Sequence, residues 1–410
     1  MIERRFLAFL IGRVSIWTAG VMLSVALGWH VYLETKEPLY LALIGLMQIL
    51  PTFAFFIITG VIIDRVQRKY ILLICTLVEF IAFAGIFFAM QFKVIPISFI
   101  FCMLLIHGSA RAFQIPSEHA ILPNIVSSEN LAKAVAITST VSNLAKTIGP
   151  LIAGLLIAFI DRQVYGICLF IVVVSFTAYL FLPKLTINAP VETGLKPFLS
   201  GIKFVAKNRI LLGIILLDLF IVLLSSVEAL LPIYAADILD VGPNGLGLMR
   251  GMPAIGAVAA GIVLSNLGPL RHCGKKLFAA FALCSISVLV FGFSEIFWLS
   301  LVALFVYGAT DMLSVNIRFT LAQTITPDAV RGRVSAVFAT CTASSNQLGE
   351  FRAGTFATAI GPIGATIMGG ALGLIICVGG IFKFPMLWKL DKISDLKKEQ
   401  HAYPINNLPK

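Results

Sequence analysis

Gly60-Val-Ile-Ile-Asp64-Arg65-Val-Gln-Arg68-Lys69 lies between two apolar runs, 40–63 and 70–90. Each run is close to the roughly 20 helical residues that cross a hydrocarbon core. A barrel strand would be about half as long and would alternate. The pattern repeats outward from this point. Apolar runs fall at 8–31, 40–63, 70–90, 95–117, 131–159 and 163–183, and resume at 210–235, 244–267, 276–294, 297–321, 334–358 and 363–388. They are numbered here as spans 1 to 12. Of 410 residues, 59% are hydrophobic and 12% charged, about half the charged fraction of a soluble domain. Water cannot accommodate that much apolar surface, and lipid admits only helices or closed barrels. The expected fold is all-α and integral to the membrane.

The net charge of +11 does not point to nucleic acid. Basic residues gather at the N-terminus (Arg4, Arg5), in every second loop or its flank (Arg65, Arg68, Lys69; Lys203, Lys207, Arg209; Arg271, Lys275, Lys276; Arg331, Arg333) and at the C-terminus. The loops between are short and poor in Lys and Arg. The positive-inside rule therefore predicts both termini in the cytoplasm. The run from Phe6 reads as span 1, being too long for a signal peptide and lacking its small-residue cleavage site. The seven cysteines mostly sit inside apolar runs with no metal-binding spacing, so they read as packing residues.

The chain divides in two. Residues 1–183 form a first six-span bundle and 210–390 a second. Between them, 184–209 is a polar linker in which Phe198 to Val205 has the spacing of an amphipathic helix on the inner surface. Residues 391–410 make a cytoplasmic tail. The halves resemble each other: Gly45-Leu-Met-Gln-Ile-Leu-Pro51 matches Gly247-Leu-Met-Arg-Gly-Met-Pro253. At an offset of 200, Gly108 matches Gly308, Gly149 matches Gly349 and Gly154 matches Gly354.

The opening stretch resembles the loop signature G-x-x-x-D-R-x-G-R-K of the major facilitator superfamily, with Gln67 in place of the second glycine. Ala145-Lys-Thr-Ile-Gly149-Pro150-Leu-Ile-Ala-Gly154 resembles that superfamily's antiporter motif, with Ala145 and Ala153 replacing two glycines. Gly308-Ala-Thr-Asp311 through Arg318, Thr326-Pro-Asp-Ala-Val-Arg331-Gly-Arg333 and Asn346-Gln-Leu-Gly349-Glu350-Phe351 are similar to the branch holding the enterobactin exporter and macrolide-efflux proteins. The resemblance covers nearly the whole chain. It implies two pseudo-symmetric six-helix bundles with substrate bound near the midplane. It also implies a gating role for Gly60, Asp64, Arg65 and Arg68, with Glu118 as the acid that Arg68 meets. Gly149, Pro150 and Gly154 would favour export against protons. An ordinary basic loop and ordinary small-residue packing are the rival readings.

Ionisable residues within the spans are costly, by about 2.5 kcal/mol or more, and usually face water or a partner. The resemblance puts spans 1, 4, 7 and 10 around the central cavity, which marks Arg13, His107, Arg111 and Arg318 as substrate candidates. Proton-coupling candidates are Glu228, deep in span 7, then Asp311, Asp218 and Glu350. Asp311 and Arg111 occupy equivalent repeat positions and can pair across the cavity. A local Asp311–Arg318 pair, seven residues apart, is the favoured alternative. Glu79 reads as a structural residue, and His107 as a packing histidine or a proton relay. No Walker loop, zinc spacing or nucleophile elbow occurs, so neither an enzyme nor a cofactor is expected.

The expected function is a proton-coupled exporter of the bacterial inner membrane, a monomer handling a small molecule, a siderophore by its resemblance to the enterobactin-exporter branch. A multidrug or macrolide pump, a siderophore importer, and a non-transporting receptor or scaffold stay open.

Overall fold

The computed structural model describes residues 4–92, 96–183, 195–266 and 271–391. The expected tail beyond Asp391 and the linker residues 184–194 lie outside the described residues, as do the side chains of Asp64, Lys196 and Phe198. Helices α1 (Arg4–Thr35), α2 (Pro38–Arg65), α3 (Arg68–Phe92), α4 (Ile97–Ile125), α5 (Leu131–Ile160) and α6 (Val164–Leu180) come first. They are followed by α7 (Leu195–Lys207), α8 (Arg209–Ser225), the single turn α9 (Leu231–Ile233), α10 (Gly242–Asn266), α11 (Cys273–Phe293), α12 (Phe297–Ile325), α13 (Asp328–Lys383) and α14 (Pro385–Trp388). No strand occurs among the described residues.

Ten helical stretches are long and apolar enough to cross a membrane. Eight cross once. The other two, Lys133–Leu180 and Val330–Lys383, run 48 and 54 residues, more than twice the need of a bilayer. Each bends midway. The first turns at Asp161–Gln163, and the second at Gly361, whose φ of 77° is open to glycine but strained for other residues. Twelve crossings result. Their outer faces carry Trp298 at 72% exposure and Phe382 at 79%, while charged residues such as Glu118 lie inside at 0%. That inversion suits lipid as solvent.

Span 7 departs from expectation. The sequence predicts one helix over 210–235, but α8 stops at Ser225 and Ser226 turns to ψ 130°. A 3₁₀ turn, Glu228–Leu230, follows, and then a wide π turn over Tyr234–Ile238. Pro232 explains part of the break: it has no N–H for the Glu228 carbonyl, and its ring crowds that carbonyl. Freed carbonyls cannot turn to water here. Arg352 of α13 reaches them instead, with Nε donating to Leu223 O at 3.1 Å and Nη2 to Ser226 O at 3.2 Å.

The chain packs as two compact units. The first holds α1–α6 and the segment Leu231–Gly251; the second holds Leu195–Leu230 and everything from Met252 onward. Within the first, α1 lies on α5 and α6, α3 on α4 and α6, and α2 on α4. Within the second, α8 lies on α13, α11 on α12 and α13, and α7 on α13. Two of the three glycine pairs matched at an offset of 200 have matched work. Gly149 lets α5 approach Val21 of α1, and Gly349 lets α13 approach Ser226 and Leu223 O at the end of α8. Gly108 seats α4 on the backbone of Gln48, and Gly308 seats α12 on the backbone of Pro253. In the first unit the segment 231–251 is held by Asp237, which accepts from Lys36 Nζ at 2.7 Å and from the Tyr32 hydroxyl. Its Gly247 also meets Gly154 of α5 backbone to backbone.

A methyl group separates these glycines by role. Gly308→Ala drives a Cβ into the Pro253 carbonyl and is expected to destabilise by about 1–3 kcal/mol. Gly332→Ala on α13 meets nothing within 4 Å and is expected to gain up to about 1 kcal/mol of helix propensity. Thermal unfolding of the purified variants checks both signs.

Candidate functional site

In the first unit, helical spacing gathers polar groups onto facing stripes. Arg13 and Trp17 stand four apart on α1, Gln114 and Glu118 four apart on α4, and Ser142 and Lys146 four apart on α5. They converge on Glu118. One carboxylate oxygen meets Arg13 Nη1 at 3.0 Å and accepts from Trp17 Nε1 at 3.2 Å. The other accepts from Tyr179 OH at 2.9 Å and Gln114 Nε2 at 3.2 Å. Arg13 donates from Nε to Ser142 Oγ at 3.1 Å. A buried carboxylate with four partners is well satisfied. Around the Trp17 ring stand three cations: Lys146 Nζ at 4.8 Å from the centroid, Arg111 Cζ at 5.4 Å and Arg13 Cζ at 5.7 Å.

The second unit holds a related arrangement. Asp218 of α8 is closed against Nη1 of Arg318 on α12, and its second oxygen accepts from Thr342 Oγ1 of α13 at 3.1 Å. Arg318 also donates from Nε to Ser314 O at 3.2 Å and stands 5.7 Å over Phe281. Asp311, two turns earlier on α12, reaches Arg318 at 4.0 Å with 45% of its side chain exposed.

These two clusters are one construction with its signs exchanged. Glu118 and Arg318 stand 200 apart, as do Ser142 and Thr342, and Arg111 and Asp311. In the first unit the acid is on span 4 and the base on span 1; in the second the base is on span 10 and the acid on span 7. In both, a hydroxyl from span 5 or 11 bonds the span 1 or 7 member. The Arg111–Asp311 equivalence was legible in the sequence, while the Glu118–Arg318 and Ser142–Thr342 equivalences at the same offset were not.

Several expectations change. Arg68 does not pair with Glu118. Its Nη1 donates to Ala120 O and Asn124 Oδ1, both at 2.9 Å, at the last turns of α4. Lys69 donates to Leu180 O at 2.7 Å at the end of α6. Lys69 is thus a cation at a helix C-terminus, where backbone carbonyls lack partners, whereas Arg68 meets the Ala120 carbonyl of α4 more than a turn before that helix ends. The Asp64 side chain, expected to gate, lies outside the described residues; Gly60 is half-buried and Arg65 exposed. Arg13 and Arg318, expected to meet substrate, are occupied by buried carboxylates. His107 is buried with Nδ1 3.4 Å from Glu79 Oε1, and Phe83 lies edge-on at 5.4 Å. Glu228 sits not within a helix but in the 3₁₀ turn of the span 7 break, half-buried. Glu350 is half-buried on α13. Of the antiporter-like residues, Gly149 packs on α1, Pro150 is buried within α5 and Gly154 meets Gly247. Among the described residues no group of His, Cys, Asp and Glu is placed to hold a metal ion.

Twelve spans in duplicated bundles, with ion pairs closed inside each bundle, are the build of a secondary transporter of the major facilitator type. The chain belongs to the family described as transmembrane secretion effector, whose pattern matches residues 6–407. It is 25% identical over 373 residues to the enterobactin exporter EntS of Citrobacter koseri, covering 90% of this chain and 88% of that one. Its fold is similar to the crystal structure of the nucleoside transporter NupG, with a TM-score of 0.72, 12% identity, and 93% and 99% of the two chains covered. It is likewise similar to a bacterial homologue of the human lysosomal transporter Spinster, with a TM-score of 0.71, 12% identity, and 97% and 98% covered. The chain is thus a multi-pass membrane transporter of a small molecule.

The Arg13–Glu118 pair can be tested by a double-mutant cycle. Glu118→Leu leaves a guanidinium alone in the bundle and is expected to cost about 3–5 kcal/mol, whereas Arg13→Met with Glu118→Leu recovers much of it. Additive losses in unfolding of the purified protein would show that the two side chains do not interact.

Proposed function

We propose that this transporter is a proton-coupled exporter of the bacterial inner membrane, working by alternating access on an anionic metal chelator of the siderophore class. The observation that carries the proton coupling is that one guanidinium, Arg318, serves two carboxylates. Asp218 is closed against it and buried. Asp311 stands farther off, at 4.0 Å, and is only partly covered. Its partner's charge is already matched, so Asp311 can gain or lose a proton without opening the buried pair. It lies near the middle of α12, where an uncompensated charge is costly. Asp311 ranks ahead of Glu228, Asp218 and Glu350 on this ground.

Outward direction is supported by the name of the enterobactin exporter that the chain is similar to, and by the resemblance of Ala145 to Gly154 to the antiporter motif. Alternate basic loops support cytoplasmic termini. Both repeats lie on one chain, so a monomer suffices. In this cycle Asp311 takes a proton from the outside and releases it inside as the chelator enters.

Asp311→Asn is expected to leave the protein inserted and to abolish efflux driven by a pH gradient in everted vesicles. Efflux that keeps its pH dependence removes Asp311 from the mechanism. The cargo is read by comparing medium and cells with and without the gene under iron limitation. Chelator missing from the medium supports the proposal; unchanged chelator with raised macrolide sensitivity makes this a drug pump.

A further inference from the structure

We infer that Trp17, Arg111 and Lys146 form a binding site for an aromatic acid: a flat ring carrying an ionised oxygen. The inference rests on the export reading in one respect, that the bound group is part of the exported chelator.

The starting point is a surplus of positive charge. Three cations from α1, α4 and α5 surround one indole. Arg13 is matched by Glu118 and Ser142. Arg111 and Lys146 are not: among the described residues neither forms a hydrogen bond or an ion pair, and each has only the Trp17 ring. Two unmatched cations in membrane-spanning helices are expensive. The face of an indole offsets part of that; an anion would offset the rest.

The cluster is also reachable. Lys146 is exposed, and Arg111 and Trp17 are half-buried. It is rigid where a ligand needs it to be, because the indole N–H is fixed on Glu118 at 3.2 Å. Flatness follows from the partners. A guanidinium plane and an indole both stack on rings, whereas a simple carboxylate needs only the ammonium. Arg111 is among the substrate candidates singled out from sequence. Trp17 and Lys146 are new among them.

The test is a saturation-transfer NMR titration of the full chain in nanodiscs at neutral pH, with empty nanodiscs as reference. Salicylate is the probe, cyclohexanecarboxylate supplies the charge without the ring, and benzyl alcohol the ring without the charge. Salicylate is expected to bind in the millimolar range usual for about ten heavy atoms. Lys146→Gln, Arg111→Gln and Trp17→Leu should each weaken it about tenfold, with Trp17→Phe retaining most of the signal. Lys146, being exposed, is the variant least prone to misfold. Equal binding of the two acids overturns the ring requirement. Salicylate binding that is absent, or indifferent to Lys146→Gln, overturns the site.

The two readings fail separately. Lys146-dependent salicylate binding in a protein whose deletion leaves chelator in the medium keeps the site and removes the export reading. Chelator lost from the medium, with salicylate indifferent to Lys146, does the reverse.

Discussion

A charge inside hydrocarbon needs a partner, and the two closed carboxylate–guanidinium contacts answer that need in each unit. Glu118 with Arg13 joins α4 to α1, and Ser142 brings in α5. Asp218 with Arg318 joins α8 to α12, and Thr342 brings in α13. Buried pairs of this kind add little net stability, since desolvation offsets the attraction. What they impose is register: each helix has one rotation and height at which its charge is met. Exchanging the signs between repeats keeps that function and changes the residue charge. Around Trp17 bases outnumber acids; around Arg318 acids outnumber bases.

The same shortage of water governs the backbone. Where a helix ends or breaks, its last carbonyls must find donors within the protein. Arg352 serves the break in span 7 and Lys69 the end of α6, while Arg68 adds a bond to a carbonyl in the C-terminal part of α4. Much of the basic character in these helices and their short connections is thus spent on carbonyl oxygens. This explains why counting cations alone overstates how many can meet a ligand.

Span number and the duplicated plan were legible because apolar length and recurring glycines are local signals. The span 7 break was not, although Pro232 stood in plain sight: the hydropathy of the run continues straight across it. The Arg68 contact was misread because its partners are a carbonyl and an asparagine, and neither carries charge. Glu118 was given to the wrong arginine for a related reason, as its real partner lies far away in sequence on span 1. The exchanged ion pairs escaped because a search for likeness compares residue types. An acid opposite a base at the repeat offset scores as a mismatch, although Glu118 and Arg318 each close an ion pair within their own unit.

The contact of Lys36 with Asp237 is of another kind. Both side chains stand substantially in water, at 54% and 39% exposure. An exposed pair of this sort contributes about 1 kcal/mol at most and fades as ions accumulate. It therefore behaves as a catch rather than a weld, undone by ordinary thermal agitation. A segment that belongs to one repeat by ancestry and to the other by packing is thus tied at this point by a contact whose strength the salinity of the surroundings sets.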